Sequence, residues 1–235
     1  MLTAIILAAG NSERMGRPKA LLEYRGRTFI ATVCDALMQA GVAERIVVLG
    51  RAEREILAAW KPLGERVAVN PRPEDGQLSS LRVGIEAASK ASDGFMVCLV
   101  DQPTIAQRTH KEIIAFWSSN KDSIVIPRCR RGEEQSQVTS HKPQEQSQVT
   151  SHKSQVITPD SADSTLYPLP STLSFKRGHP IIIPVIYRHL CFDGPLDKGL
   201  HWVTHHPSVK VVDLTVEDAG IIRDFDTPED YAKLK

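Results

Sequence analysis

The sequence lacks an excess of charge of either sign, a long apolar run and a paired-cysteine motif. Its 235 residues include 29 Lys and Arg against 28 Asp and Glu, which gives a formal net charge of +1. A chain without a basic surplus has no general electrostatic attraction for nucleic acid or for an anionic membrane. No apolar stretch approaches the roughly 20 residues that a membrane-spanning helix needs. We therefore expect neither nucleic acid nor a membrane as a partner.

The four cysteines are far apart, and no CxxC pair suggests zinc or redox chemistry. Cys34 and Cys98 stand in apolar runs that are typical of buried thiols. The first apolar run has no basic segment before it and ends in a glycine, so it does not have the form of a signal peptide. These features favour a reducing cytoplasm as the location.

Composition is that of a globular protein, with 41% hydrophobic and 24% charged residues. Apolar runs at residues 4–9, 46–49 and 67–69 indicate short strands, and amphipathic helical patterns separate them. Such alternation predicts a mostly parallel sheet with helices on both faces, a three-layer α/β/α sandwich.

The most informative segment is TAIILAAGNSERMGRPKALL at residues 3–22. Its apolar strand ends at Gly10, and the loop that follows carries Arg14, Arg17 and Lys19 around a second glycine. Small residues let a ligand approach the backbone, and loop N–H groups can bind anionic oxygens. Three cations beside such a loop favour polyphosphate as the ligand. The alternative is an ordinary turn with solvated charges.

Polar side chains follow two further strands. Asn70, Ser79 and Ser80 lie in or beside a loop rich in Pro, Gly and Asp. They can contact a ligand at the carboxyl ends of the strands, or serve in turn formation and helix capping. Asp101 follows a run of apolar residues directly, and it either organises the turn before Pro103 or binds Mg²⁺.

Near the carboxyl end, Asp224 and Asp226 stand two residues apart, so on a strand both would point to one face. Thr227 and Pro228 predict the beginning of a helix, with Thr227 as its cap. Capping does not explain the two carboxylates, which leaves a role in a site open for them.

Residues 134–144 and 145–155 are two copies of one polar segment, which differ only at Pro143 and Ser154. Each copy has a single apolar residue, too few to form a packed surface. We expect a polar insertion without regular structure at about 129–176 and assign no chemistry to it.

The segment LAAGNSERMGRPKALL resembles, without a gap, the signature LAAGxSxRMGxPKxLL of the MobA-like NTP transferases, and within them the molybdenum cofactor cytidylyltransferase type. The motifs DQP, GHP and DTPED resemble further elements of that family. The resemblance covers residues 3–127 and 177–232. It implies one MobA-like domain over residues 1–235, with a Rossmann-like fold of the nucleotide-diphospho-sugar transferase kind.

The resemblance also implies an activity: Mg²⁺-dependent transfer of a nucleoside monophosphate to the phosphate of a molybdopterin-type cofactor, with release of pyrophosphate. The implied catalytic residues are Arg14, Lys19 and Asp101. The implied metal ligands are Asp101 and Asp226, with Asp224 as the second choice for the latter position. The implied nucleotide contacts are Leu7, Ala8, Ala9, Gly10, Arg14, Lys19, Asn70, Ser79 and Ser80, and the implied acceptor contacts are Gly178, His179 and Pro180.

Within the family, LAAG rather than LAGG accompanies cytidine nucleotides, so Ala9 implies CTP in preference to GTP. A methyl group at this position would crowd a purine against the backbone. A molybdoenzyme is the protein partner that the resemblance suggests. Two alternatives stay open: a nucleotidyltransferase acting on a sugar phosphate or a methylerythritol phosphate, and a non-catalytic nucleotide-binding factor in molybdoenzyme maturation.

Overall fold

The computed structural model describes residues 1–10, 12–130 and 174–234. The strands are β1 (Leu2–Ala8), β2 (Glu23–Tyr24), β3 (Arg27–Thr28), β4 (Glu44–Leu49), β5 (Arg66–Val69), β6 (Gly94–Leu99), β7 (Ile124–Arg130), β8 (Phe175–Arg177), β9 (Ile181–Pro184) and β10 (Val211–Thr215). The α-helices are α1 (Phe29–Gln39), α2 (Glu53–Ala59), α3 (Gln77–Ala87), α4 (Gln107–Ser118), α5 (Arg188–Asp193), α6 (Gly199–Thr204) and α7 (Pro228–Ala232).

One eight-stranded sheet forms the centre of the fold, in the order β10-β7-β9-β6-β1-β4-β5, with β8 paired to β7. Strand β1 pairs in parallel with β4 and β6, β4 pairs in parallel with β5, and β10 pairs in parallel with β7. Strand β9 lies between β6 and β7 and is antiparallel to both. The sheet is therefore mostly parallel, as the alternating pattern predicted.

Successive residues of a strand point to opposite faces of the sheet. Helices cover both faces here, so side chains on both sides of the central strands are buried. Ile6 packs with Val33 of α1 and Ile113 of α4 in one hydrophobic cluster. Ile5 packs with Leu81 of α3 in a second cluster, which α5 and α6 also join. Two helical layers therefore enclose one sheet, and the predicted three-layer α/β/α sandwich is confirmed.

Two details differ from the expectations. The ends of the expected insertion belong to the sheet: Cys129 pairs with Lys176, and Arg130 pairs with Phe175, because β7 and β8 continue past the predicted boundary. The duplicated segment at 134–155 lies outside the described residues. The predicted caps Ser79 and Ser80 are inside α3, whose cap position is held by Gly76 without a side-chain hydrogen bond.

All four cysteines are buried and free. Burial raises the pKa of the Cys191 thiol to about 12 and also raises the pKa values of Cys34 and Cys98. These side chains therefore serve as small apolar residues of the core. In the part of the chain that the structure describes, no helix has the length and apolar character needed to cross a membrane.

Close packing between α3 and the sheet makes Gly84 a sensitive position. A Cβ atom there would lie 2.3 Å from Cγ2 of Ile5 and 3.1 Å from Cγ2 of Val48, both in the core. We predict that Gly84→Val lowers the free energy of unfolding by roughly 1–3 kcal/mol through overpacking, as measured by urea denaturation. Gly10→Ala is the control, because a Cβ atom at Gly10 has no neighbour within 4 Å. Equal stability of both variants would contradict this account of the packing.

Candidate active site

A cavity of about 520 Å³ opens at the carboxyl ends of β1 and β6, where parallel sheets of this kind commonly bind ligands. One wall is the segment that follows β1, and the opposite wall is the loop before α3 together with the first turn of that helix. The lining residues are Leu7, Ala8, Ala9, Gly10, Ser12, Arg14, Pro18, Lys19, Ala20, Pro73, Gly76, Gln77, Ser80, Leu99, Val100, Asp101 and Asp226.

The loop after β1 is held in a compact form by local contacts. Ser12 and Gly16 have positive φ angles of 50° and 66°, which reverse the chain direction. The Ser12 hydroxyl accepts a hydrogen bond of 3.1 Å from the backbone N–H of Lys19. Lys19 then begins a short 3₁₀ helix, Lys19–Leu21, at the edge of the cavity. Ser12 therefore fixes the point from which the Lys19 side chain extends.

Lys19 joins two carboxylates that are distant in sequence. Its Nζ atom donates to Oδ2 of Asp101 at 2.7 Å and also to Oδ1 of Asp226. The side chains of Lys19 and Asp101 are each only 17% exposed, so these charges are poorly screened by water. Arg14 adds a looser contact, with 3.8 Å between its guanidinium and Oδ2 of Asp226.

The pKa values of these groups reflect the pairing. Burial acts to lower the pKa of Lys19, but Asp101 and then Asp226 outweigh it, so the pKa is raised overall. The hydrogen bond from Lys19 is the main reason that the pKa of Asp226 is lowered. Lys19 and Asp226 are therefore held in their charged forms at neutral pH, which is the state needed to bind phosphate and metal.

An aromatic cluster positions Asp226. Phe225 is buried, and its ring centroid lies 5.8 Å from that of Phe29 at the start of α1. Tyr231 of α7 packs on the same ring at 6.0 Å, and its hydroxyl bonds to the backbone N–H and C=O of Glu23 at 3.1 Å and 3.0 Å. These contacts attach the carboxyl-terminal segment to the chain just beyond Lys19, and so bring the Asp226 carboxylate to the cavity.

Asn70 supports the loop before α3 from behind the cavity wall. Its Nδ2 atom donates to the hydroxyls of Ser79 at 2.8 Å and Ser80 at 3.0 Å, and its Oδ1 atom accepts from the backbone N–H of Arg72 at 2.9 Å. Of the three predicted nucleotide contacts in this region, Ser80 lines the cavity, whereas Asn70 and Ser79 lie behind the wall. Gly76, with φ of 90°, makes the turn into α3.

The predicted acceptor motif, Gly178 to Pro180, is adjacent to the site but does not line the cavity. The N–H of His179 donates to the carbonyl of Ile221 at 3.0 Å, and Nε2 of Gln102 donates to the same carbonyl at 3.2 Å. Gln102 also donates to Oδ1 of Asp224 at 2.7 Å. A Cβ atom on Gly178 would lie 2.0 Å from the Ile221 carbonyl oxygen, so only glycine allows this approach. The motif is therefore joined to the segment that carries Asp226.

The structure thus brings together most, not all, of the residues predicted for one site. The predicted residues on the cavity wall are Leu7, Ala8, Ala9, Gly10, Arg14, Lys19, Ser80, Asp101 and Asp226. Asp224 is turned to Gln102 instead. The lining residues that sequence reasoning missed are Ser12, Pro18, Ala20, Leu99, Val100, Pro73, Gly76 and Gln77. A signal existed for the last three, since they belong to the Pro- and Gly-rich segment that follows Asn70.

The donor set suits one hard divalent cation. Asp101 and Asp226 both reach a single nitrogen atom, so one cation could contact both carboxylates. Among the residues that the structure describes, no group of three or more His, Cys, Asp or Glu side chains could hold a metal ion. A site with two carboxylates fits Mg²⁺, which binds through one or two carboxylates and takes its other ligands from phosphate and water.

Comparison with known proteins identifies the class. Residues 4–201 match the family described as MobA-like NTP transferase domain. The chain therefore belongs to the MobA-like NTP transferase family, and the resemblance seen in the sequence is confirmed at the level of the family. Nucleotidyltransferases are accordingly the class of enzyme into which its domain falls.

Two curated relatives illustrate the range of names in the family. The chain is 37% identical over 109 residues to a nicotine blue oxidoreductase from Paenarthrobacter nicotinovorans, covering 46% of this chain and 53% of that protein. It is 35% identical over 127 residues to a probable molybdenum cofactor guanylyltransferase from Opitutus terrae, covering 53% of this chain and 59% of that protein. The matches thus span little more than half the length of these relatives.

Solved structures resemble the whole described fold. The crystal structure of Rv0371c from Mycobacterium tuberculosis H37Rv has a TM-score of 0.73 and 27% identity, covering 99% of this chain and 96% of that chain. A complex of Rv0371c with manganese has a TM-score of 0.69 and 25% identity, covering 99% and 97% of the two chains. These similarities confirm the α/β architecture.

Buried histidines lead to a prediction about acid stability. Burial lowers the pKa of His179 and of His110 from 6.5 to about 4, partly offset at His110 by Ala106 and Asp218. Between these pH values the unfolded chain binds more protons than the folded one, so folding stability falls as the pH is lowered. We predict a loss of up to about 1.4 kcal/mol per pH unit for each histidine below pH 6.5.

The measurement is urea unfolding at pH 7 and pH 5. His179→Asn should lose less stability between these two values than the unmodified protein, because one of the neutral buried imidazoles is gone. His189→Asn, at an exposed position of α5, is the control and should keep the full pH dependence. An identical loss in the His179 variant would contradict the assignment.

Proposed function

We propose that this protein is a nucleotidyltransferase that uses a divalent metal, with Mg²⁺ as the physiological ion. It transfers a nucleoside monophosphate from a nucleoside triphosphate to the phosphate of a small acceptor and releases pyrophosphate. The main observation in support is that Lys19 pairs with both Asp101 and Asp226 at the edge of a cavity, one wall of which is a glycine-containing loop. Membership of the MobA-like NTP transferase family supports the same class of reaction.

The nucleotide is assigned to the 520 Å³ cavity. The backbone from Ala8 to Gly10 faces the base and sugar, since a small-residue loop allows close approach. Arg14 and Lys19 hold the triphosphate and stabilise the departing pyrophosphate, because their charges oppose the charge that develops on it. Both side chains line the cavity, and the greater exposure of Arg14, 71% against 17% for Lys19, suits a residue that closes on a ligand.

Asp101 and Asp226 are the proposed metal ligands. Bound there, Mg²⁺ would contact phosphate oxygens and neutralise charge at the reacting centre. A manganese complex is known for the similar protein Rv0371c, which supports the use of a divalent ion. Asp224 is the less suitable ligand, because its carboxylate already accepts from Gln102 and does not line the cavity.

The reaction needs no strong general base. An oxygen of the acceptor phosphate, already ionised at neutral pH, forms a bond to the α-phosphorus, and the bond from that phosphorus to the bridging oxygen of pyrophosphate breaks. The task of the protein is to hold the two phosphates in line and to balance their charge. No histidine lines the described cavity wall, which is consistent with chemistry of this type.

For the base, we propose cytosine. Ala9 lines the cavity and is 5% exposed. Its carbonyl oxygen would lie 2.6 Å from a Cβ atom on Gly50, so the backbone at Ala9 packs closely against the residue that follows β4. Because this part of the backbone has no room to move away, the Ala9 methyl group disfavours a purine relative to the smaller pyrimidine. The name of the relative from Opitutus terrae, a probable guanylyltransferase, favours GTP and makes GTP the alternative to test.

For the acceptor, we propose a molybdopterin-type phosphate. The name of that relative supports this class, and the GHP motif beside the site offers a surface for it. The Nε2 atom of His179 is buried and has no hydrogen-bond partner among the described residues, so it is available to a ligand group after local adjustment. Sugar phosphates and methylerythritol phosphate are the competing acceptors, and a nucleotide-binding factor without catalysis is the competing class.

The most direct test is pyrophosphate release from CTP and Mg²⁺ with each acceptor in turn. We expect release with a molybdopterin-type acceptor. Release only with a sugar phosphate or methylerythritol phosphate would replace the acceptor assignment. Binding of CTP without release with any acceptor would favour the non-catalytic factor, and a molybdoenzyme partner would then be the next protein to test for binding.

Removing either charge of the central pair should greatly lower turnover but leave the fold intact. Lys19→Ala and Asp101→Asn are each predicted to lower kcat by roughly 100-fold or more, because each loses electrostatic stabilisation of the reacting phosphates. The readout is pyrophosphate release, with thermal unfolding as the check on folding. Asp122→Asn, which breaks a solvent-exposed pair with Lys210, is the matched control and should keep full activity. Unchanged turnover in both site variants would refute these roles.

The proposed preference for CTP depends on the methyl group of Ala9, so removing this group should shift the preference towards GTP. We predict that kcat/KM is higher with CTP than with GTP, and that Ala9→Gly raises the ratio of GTP to CTP turnover by about tenfold, a typical value for one methyl group in a binding pocket. Both nucleotides are compared at equal concentration in each protein. A preference of the unmodified protein for GTP would overturn the cytosine assignment but not the class of reaction.

A further inference from the structure

The geometry points to Lys19 as a substitute cation that blocks the metal site until a nucleotide arrives. The inference rests on the proposed function, since it takes Asp101 and Asp226 as the metal ligands. Metal affinity and nucleotide affinity then depend on each other through the position of one ammonium group.

The starting observation is where the ammonium lies. Nζ of Lys19 is within hydrogen-bond distance of Asp101 and of Asp226 at the same time. It therefore stands between the two oxygen atoms that a single metal ion would have to contact. An ammonium group and a metal ion cannot occupy this space together, because both need direct contact with the same carboxylates.

The ammonium is also held firmly. The Lys19 and Asp101 side chains are each 17% exposed, so their attraction is only weakly screened. The backbone N–H of Lys19 is fixed by Ser12 at 3.1 Å, which limits how far the side chain can move without a change in the loop. A metal ion that enters alone must displace Lys19 and leave this ammonium without an anionic partner, which is unfavourable in a partly buried position.

A nucleotide removes that penalty. Its phosphates are the anionic partner that Lys19 lacks once it leaves the carboxylates, and they also supply the ligands that two carboxylates cannot. Among the described residues, no third His, Cys, Asp or Glu side chain completes a metal site. The nucleotide is therefore needed both to pair with Lys19 and to complete the coordination of the metal. Binding of metal and of nucleotide is therefore positively coupled, and the coupling is reciprocal.

The test compares Mn²⁺ binding in variants of one residue, measured by the loss of the free Mn²⁺ electron paramagnetic resonance signal without nucleotide or acceptor. Lys19→Met removes the ammonium and leaves two facing carboxylates, so we expect Mn²⁺ to bind about tenfold more tightly or better than to the unmodified protein. Lys19→Arg keeps the charge and should stay close to the unmodified affinity. Lys121→Met, at an exposed lysine paired with Asp93, is the matched control and should change nothing.

The coupling is measured on the unmodified protein as the affinity for CTP in EDTA and in excess Mn²⁺. We expect at least a tenfold gain from Mn²⁺, and a smaller gain in Lys19→Met, because the ammonium no longer competes for the site. The same measurement is made with GTP. Equal affinity with and without Mn²⁺ for both nucleotides in the unmodified protein would overturn the inference, even if Lys19→Met fails to fold.

The remaining outcomes separate this inference from the proposed function. If Lys19→Met binds Mn²⁺ no more tightly than the unmodified protein, the blocking role is wrong while the metal site stands. Adding Asp101→Asn to Lys19→Met should remove the tighter binding. If it does not, or if no protein binds Mn²⁺ even with CTP or GTP present, the metal ligands are assigned wrongly and the proposed function loses its metal site together with this inference.

Discussion

The structure of the site depends on one interaction, the pairing of the Lys19 ammonium with two carboxylates. Asp101 is 82 residues away in sequence and Asp226 is 207 residues away, so this pairing joins the beginning, the middle and the end of the chain. Partly buried carboxylates are costly unless a positive charge meets them. The positions of β1, β6 and the carboxyl-terminal segment must therefore all be compatible with one small volume around Nζ.

The surrounding fold meets that requirement mainly with apolar packing. Strands β1 and β6 pair in parallel, so their carboxyl ends lie side by side and the residues that follow them share one cavity. The third segment is not part of the sheet at this point, and Phe225 and Tyr231 hold it against Phe29 instead. The end of β6 thus presents Asp101, the loop held by Ser12 presents Lys19, and an aromatic cluster presents Asp226.

Much of this could be predicted from residue patterns, and the reason is local. Ile5 and Ile6 belong to a continuous apolar run, which is typical of a strand buried on both faces, and such strands alternate here with amphipathic helices. Other features depended on distant contacts. The antiparallel strand β9 enters between β6 and β7, although nothing in the sequence of Ile181–Pro184 specifies its neighbours. Likewise Ser79 and Ser80 looked like helix caps, whereas α3 begins earlier, at Gln77, because Gly76 makes the turn.

By itself the sequence determined the class of fold, the family and the glycine loop with its cations, because each of these is written in consecutive residues. Only the tertiary structure decided which polar groups share a site. In the folded chain Ser80 lines the cavity and Asn70 lies behind it. Asp226 accepts from Lys19, whereas Asp224 accepts from Gln102. Ser12, which no pattern singled out, accepts from the backbone N–H of Lys19. The physical reason is that side-chain direction and the approach of distant segments depend on the packing of the whole core, which no local pattern contains.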